Sequence, residues 1–144
     1  AGAGAGTASS PFGGDRTPVL REALLLHSAF LERCDALGVV PDESRAAVRR
    51  EGEADPTTRR AEKIARHRRD KATREALEAL RGRRKARDEA DEEVDDSVHE
   101  AEERELWLLT IDAELHRSMD ARRTLQLELE MLAHARRASA LPGA

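Results

Sequence analysis

Two adjacent blocks of opposite charge constrain this chain more than any other feature. From Thr57 to Arg87 there are 13 Lys and Arg against 4 Asp and Glu, a balance of +9. From Asp88 to Glu105 there is 1 Arg against 11 acids, a balance of −10. Segments this charged cannot form a core by themselves. Neighbouring blocks of opposite sign are expected to lie against each other, or against a polar partner, and not on a membrane surface. The overall charge of −4 conceals them.

The apolar residues set the fold class. They make up 39% of the 144 residues, but only 2% are aromatic, and there is no Tyr. With 38% charged residues and a preponderance of Ala, Glu, Leu and Arg, the composition is that of long helices. An all-α fold follows, an antiparallel bundle or helical-hairpin array in one domain. The Ala/Gly/Ser-rich start (1–16) and the small-residue end (138–144) read as disordered. Residues 17–137 read as the helical domain, with a charged connector over about 82–93.

Thr17-Pro18 reads as a helix start, with Thr17 as cap and Pro18 in the first turn. Apolar residues at Val19, Ala23, Leu26, Phe30, Cys34 and Leu37 follow at helical spacing, widened by Leu20, Leu24 and Leu31. Gly38 is expected to end this helix in the left-handed conformation, and Pro41 confirms the break. A short helix follows in PDESRAAVRR. Asp55 or Thr57 then caps a third helix, with Pro56 in its first turn and an expected interruption at Gly82. Its apolar face is thin: Ala61, Ile64, Ala65, Ala72, Ala76, Leu77 and Leu80. Periodicity returns near Glu93. With no Gly or Pro between Glu100 and Arg137, one long helix and two capped near Ser118 or Asp120 fit equally. The turn Leu106–Leu109 is apolar all round, which suits a buried position or one covered by a missing piece.

Catalytic patterns do not match. His27, His67, His99, His116 and His134 are scattered, and His99-Glu-Ala-Glu-Glu lacks a second His four residues on. The acids of 88–105 lack the Gly-centred spacing of a calcium loop. Phosphate-loop, dinucleotide and nucleophile-elbow glycines are missing. Cys34 is the single cysteine, so no disulfide or Cys-based zinc site exists within the chain. It sits on an apolar stripe, where a buried, inert thiol is expected. No apolar run reaches membrane-spanning length. The chain therefore reads as a non-enzyme with no cofactor and no membrane contact.

Three readings compete for Thr57–Lys71. One is a solvated helix face. Another is a nucleic-acid handle, since basic helices bind phosphate by counterion release. Against it, no heptad of leucines follows, no Asn is placed to read a base and no aromatic residue is placed to stack on one. The third is protein docking. Arg60 and Lys63 are three apart, Lys63 and His67 four apart, so they share a helix edge suited to carboxylates on a folded partner. A structural coiled-coil spacer is a further alternative for the whole chain.

The segment RRAEKIARHRRDKATREALEAL resembles the central motif of the type 2A phosphatase-associated family, known as TAP forty-two in yeast and alpha-four in animals. The pattern Arg-x-x-Lys-Ile-x-Arg-(Tyr/Phe)-Lys-x-x-Lys falls on Arg60, Lys63, Ile64, Arg66 and Lys71. FLERCDALGVVP, from Phe30 to Pro41, is similar to the family's Phe-Leu-x-x-Cys segment. Arg104 to Leu132 resembles its Arg-Glu-x-(Tyr/Trp)-Leu-Leu stretch and closing acidic-leucine run. His67 departs from the family's aromatic residue, and Ala72, Thr73 and Arg74 replace its Glu-Leu-Glu.

The resemblance implies a tetratricopeptide-like scaffold, incomplete here at its N-terminus. It implies a cytoplasmic, non-catalytic regulator that binds the catalytic subunit of protein phosphatase 2A and its relatives within target-of-rapamycin signalling. It further implies that Arg60 and Lys63 make the partner contact. Arg66 and Lys71 are expected to add field at the rim, and the chain to be monomeric apart from its partner, with no nucleic acid bound.

Overall fold

A computed structural model describes residues 14–50 and 55–140. Of the residues expected to be disordered, 1–13 and 141–144 lie outside the described residues, whereas 138–140 are helical as the end of the last helix. The described residues form four helices and no strand: α1 (Thr17–Ala36), α2 (Asp42–Arg50), α3 (Pro56–Glu89) and α4 (Asp96–Ala140). The all-α reading holds. By compactness the described residues group into two units, residues 14–30 with 120–140 and, in the larger unit, residues 31–50 with 55–119.

In the larger unit, α3 and the first half of α4 form an antiparallel hairpin. Thr73 donates its hydroxyl to Asp112 Oδ2 at 2.5 Å, and Arg84 reaches Glu103 at 2.9 Å. Arg87 pairs with Glu102 one turn further on. As α3 advances, its partners on α4 recede, which fixes the direction. These pairs also show the basic and acidic blocks lying against each other, as their signs require. Glu43 of α2 meets Arg69 of α3 at 3.4 Å, and Asp35 at the end of α1 meets Arg45 of α2 at 2.6 Å. The buried apolar residues are Leu31, Cys34, Ala47, Leu77, Leu80, Leu115 and Met119.

Helix ends follow from local chemistry. Gly38 has φ +71° and closes α1 with its N–H on the Asp35 carbonyl, as expected of a C′ glycine. At the other end of α1 the cap is Asp15, not Thr17: Asp15 Oδ1 accepts from the Thr17 N–H at 3.0 Å. Thr17 is buried, and its hydroxyl accepts from Arg136 of α4 at 2.9 Å. In the smaller unit Arg136 also pairs with Asp15 at 2.6 Å, and Arg16 with Glu128 at 2.5 Å. These contacts tie the start of α1 to the last turns of α4.

One expectation changes, and one pair of alternatives resolves. Gly82 does not interrupt α3, which continues to Glu89, so most of the expected connector is helix. The reversal falls at Ala90–Asp91, where Asp91 takes φ 54°, a conformation Asp tolerates better than most residues. Residues 96–140 form one helix, with Ser118 buried within it instead of capping a second.

Candidate functional site

The start of α3 is fixed tightly. Asp55 sits at the N-cap in an extended conformation, and its Oδ1 accepts from the Thr58 N–H at 2.7 Å, with Pro56 in the first turn. That backbone N–H holds the Asp55 carboxyl below its ordinary pKa. The acid lies at the positive end of the helix dipole, which also favours its charged form. Arg60 and Lys63 follow within two turns on a segment whose register this cap sets.

Both side chains are exposed and make no ion pair among the described residues. Ile64 lies beside Lys63 and one turn beyond Arg60, and it is 49% exposed. His67 and Arg68 come one turn later on the same side and are exposed too. The face is therefore an apolar spot bordered by cations. The sequence pattern places Ile64 on the helix's apolar face with Leu77 and Leu80; those two leucines are buried, but the residues buried with them are Arg66 and Thr73, not Ile64. The signal for its exposure was its own neighbours, with Arg60 four residues before it and Arg68 four after.

The other two expected residues stand differently. Lys71 is exposed, with a loose 3.9 Å approach to Glu75 on its own helix. Arg66 is 6% exposed and engaged, so its guanidinium faces inward and is not displayed at a rim. Arg60, Lys63 and Lys71 thus lie on the surface, and Arg66 beneath it.

The basic block divides along its length. Arg69, Arg74, Arg84, Lys85 and Arg87 each have a carboxylate within this chain, on Glu43, Asp70, Glu103, Glu89 and Glu102. Arg59, Arg60, Lys63 and Arg68 have none among the described residues. The free positive field is thereby concentrated in the first turns of α3, around Ile64.

Elsewhere the side chains serve the fold. Asp112 Oδ2, which accepts from Thr73, faces His116 Nε2 at 3.3 Å. The approach of His116 holds the Asp112 carboxyl below its ordinary range; burial opposes this, and the Thr73 hydroxyl and Arg69 add to it. Cys34 is buried, and loss of solvent raises its thiol pKa, leaving it protonated and inert. Among the described residues no His, Cys, Asp or Glu cluster is placed to hold a metal ion, and no helix is long and apolar enough to cross a membrane.

The profile of the TAP42-like family matches residues 6–144. The chain is 31% identical over 131 residues to a protein of Arabidopsis thaliana named PP2A regulatory subunit TAP46, covering 82% of this chain and 32% of that protein. Proteins of the same name from Oryza sativa subsp. japonica and Nicotiana tabacum are 32% and 30% identical, over 130 and 132 residues. Those matches cover 82% of this chain in each case, and 31% and 32% of the respective relatives. The chain spans about a third of the length of these relatives. No solved structure matches it significantly.

Proposed function

This chain belongs to the TAP42-like family, and from that premise we propose that it is a non-catalytic regulatory scaffold for the catalytic subunit of protein phosphatase 2A and its relatives. The names of its relatives support a regulatory role. The observation that carries the site assignment is Arg60 and Lys63, exposed and without an ion pair among the described residues, beside Ile64 on a capped helix. In this reading the two cations meet carboxylates on the catalytic subunit, Ile64 fills an apolar depression between them, and Lys71 adds field at the edge. Arg66, from its buried position, holds the helix that displays them. The protein acts in the cytoplasm within target-of-rapamycin signalling, as a monomer apart from its partner.

The test is capture of the type 2A catalytic subunit by the chain and by its Arg60→Glu/Lys63→Glu variant. Removing one member of a close interfacial charge pair costs about 2–5 kcal/mol, so affinity should fall by at least about 30-fold. Helical circular dichroism should not change, since both side chains are exposed. Undiminished capture at physiological salt would remove the assignment. A gel-shift titration with duplex and single-stranded nucleic acid should show no complex at moderate salt, because Arg69, Arg74, Arg84, Lys85 and Arg87 already face carboxylates of the chain and Arg66 is buried, which leaves no continuous cationic track.

A further inference from the structure

The last turn of α4 reads Arg136-Arg137-Ala138-Ser139-Ala140. Two arginines three and two residues before a serine are the pattern that arginine-directed protein kinases select through acidic pockets. Ser139 and Arg137 are exposed, and Arg137 makes no ion pair among the described residues. Such kinases hold their substrate extended. The last turn of a helix, whose carbonyls lack intrahelical partners, unwinds at little cost. Arg136 is held by an exposed ion pair to Asp15, which resists that unwinding little, and by one part-buried hydrogen bond to Thr17.

What Ser139 sits beside gives the modification a consequence. Together with Asp15, Leu132, Ala135, Arg136 and Ala140 it lines one shallow pocket of the smaller unit. Ser139 follows Arg136 by three residues, so their side chains are neighbours on the helix. Arg136 is also the residue that clamps the start of α1, donating to Asp15 Oδ2 at 2.6 Å and to the Thr17 hydroxyl at 2.9 Å.

We infer that Ser139 is a phosphorylation site for an arginine-directed protein kinase, and that its phosphate draws Arg136 away from Asp15 and Thr17, releasing the start of α1 from the end of α4. Ser139 Oγ attacks the γ-phosphorus of Mg²⁺–ATP. The new Oγ–P bond replaces the bond to the bridging oxygen, ADP departs, and the hydroxyl proton passes to the kinase's base. Three effects then act in one direction. A dianionic phosphate one turn from Arg136 is a stronger acceptor than the Asp15 carboxylate. It repels Asp15 across the shared pocket. It also places negative charge at the negative end of the α4 dipole, loosening the final turn.

The test treats the intact chain with Mg²⁺–ATP and the catalytic subunit of cAMP-dependent protein kinase as an arginine-directed probe. Fragmentation mass spectrometry should place a phosphate on Ser139. Incorporation there should fall about tenfold or more in Arg137→Ala, which removes no contact of the fold. Ser139→Ala should abolish the signal in that peptide. Hydrogen exchange should then be faster in the phosphorylated chain over residues 15–22 and 132–140, and unchanged over 73–80. Absence of phosphate on Ser139 overturns the inference. So does phosphate on Ser139 with unaltered exchange at the start of α1.

Discussion

Two glycines, both in the larger unit, should respond to the same substitution with opposite sign. Gly82 lies inside α3 with ordinary helical backbone, and a Cβ built there meets nothing within 4 Å. Ala at this position adds no clash and removes conformational freedom from the unfolded chain. Gly82→Ala should therefore stabilise by about 0.5–1 kcal/mol. Gly38 also has open space around its Cβ, but its φ is +71°. Here the cost is all in the backbone, about 1–2 kcal/mol for a side chain held left-handed. For a unit of this size 1 kcal/mol moves Tm by about 4–8 °C. Gly82→Ala should thus raise Tm by about 2–8 °C, and Gly38→Ala lower it by about 4–16 °C. Thermal melts at 222 nm, with urea titrations to check that the slope is unchanged, measure both. A lowered Tm for Gly82→Ala would mean that the chain does break at 82, which the sequence suggests and the structure denies. A neutral Gly38→Ala would mean that the turn after α1 does not need its left-handed residue.

Two further predictions concern carboxylates. Thr73→Val keeps the shape of a buried residue but removes its hydroxyl from Asp112, and should cost about 1.5–3 kcal/mol in urea unfolding at pH 7. Because the Asp112 carboxyl is held below its ordinary pKa in the folded chain, its contribution is complete above the unfolded value and is lost as pH falls through the folded one. Urea midpoints followed from pH 7 to acid should therefore fall less steeply for Thr73→Val than for the natural sequence. The same sign applies to Asp55: Asp55→Ala should lower Tm at neutral pH, and the gap should close as pH drops through the folded pKa of its carboxyl.

The hairpin was legible because its signal is electrostatic and long. Eleven acids after thirteen cations can neutralise each other over their length by folding back, and Arg84–Glu103 and Arg87–Glu102 are that fold-back seen locally. The position of the turn was not legible. A helical glycine costs only about 1 kcal/mol against Ala. Leu80 is fully buried just before Gly82, and the arginine pairs just after it hold the helix through that weak point. Asp91, the residue that does adopt positive φ, was hidden among identical acids. Half of the buried stripe of α3, Leu77 and Leu80, is legible in the sequence, and the other half is not, for a related reason. Arg66 and Thr73 are polar, so periodicity shifted the face toward Ile64, one notch round the helix.

That shift bears on what the basic helix can bind. Affinity for nucleic acid grows with the number of phosphates neutralised, and therefore with the number of cations free to neutralise them. Arg69, Arg74, Arg84, Lys85 and Arg87 already face carboxylates of their own chain, and Arg66 is buried. Lys71 has the loose approach of Glu75, much as Lys85 has that of Glu89, Arg83 lies in the field of Glu102, and Arg81 makes no ion pair among the described residues. The dense group of cations with no ion pair among the described residues is Arg59, Arg60, Lys63 and Arg68, and it surrounds an isoleucine. An extended phosphate track would have no use for that isoleucine. A protein surface does, because an apolar centre bordered by charge excludes water from the contacts at its edge. Ile64→Ala should consequently weaken capture of a phosphatase catalytic subunit while leaving the net charge, and any residual attraction to polyanions, unchanged.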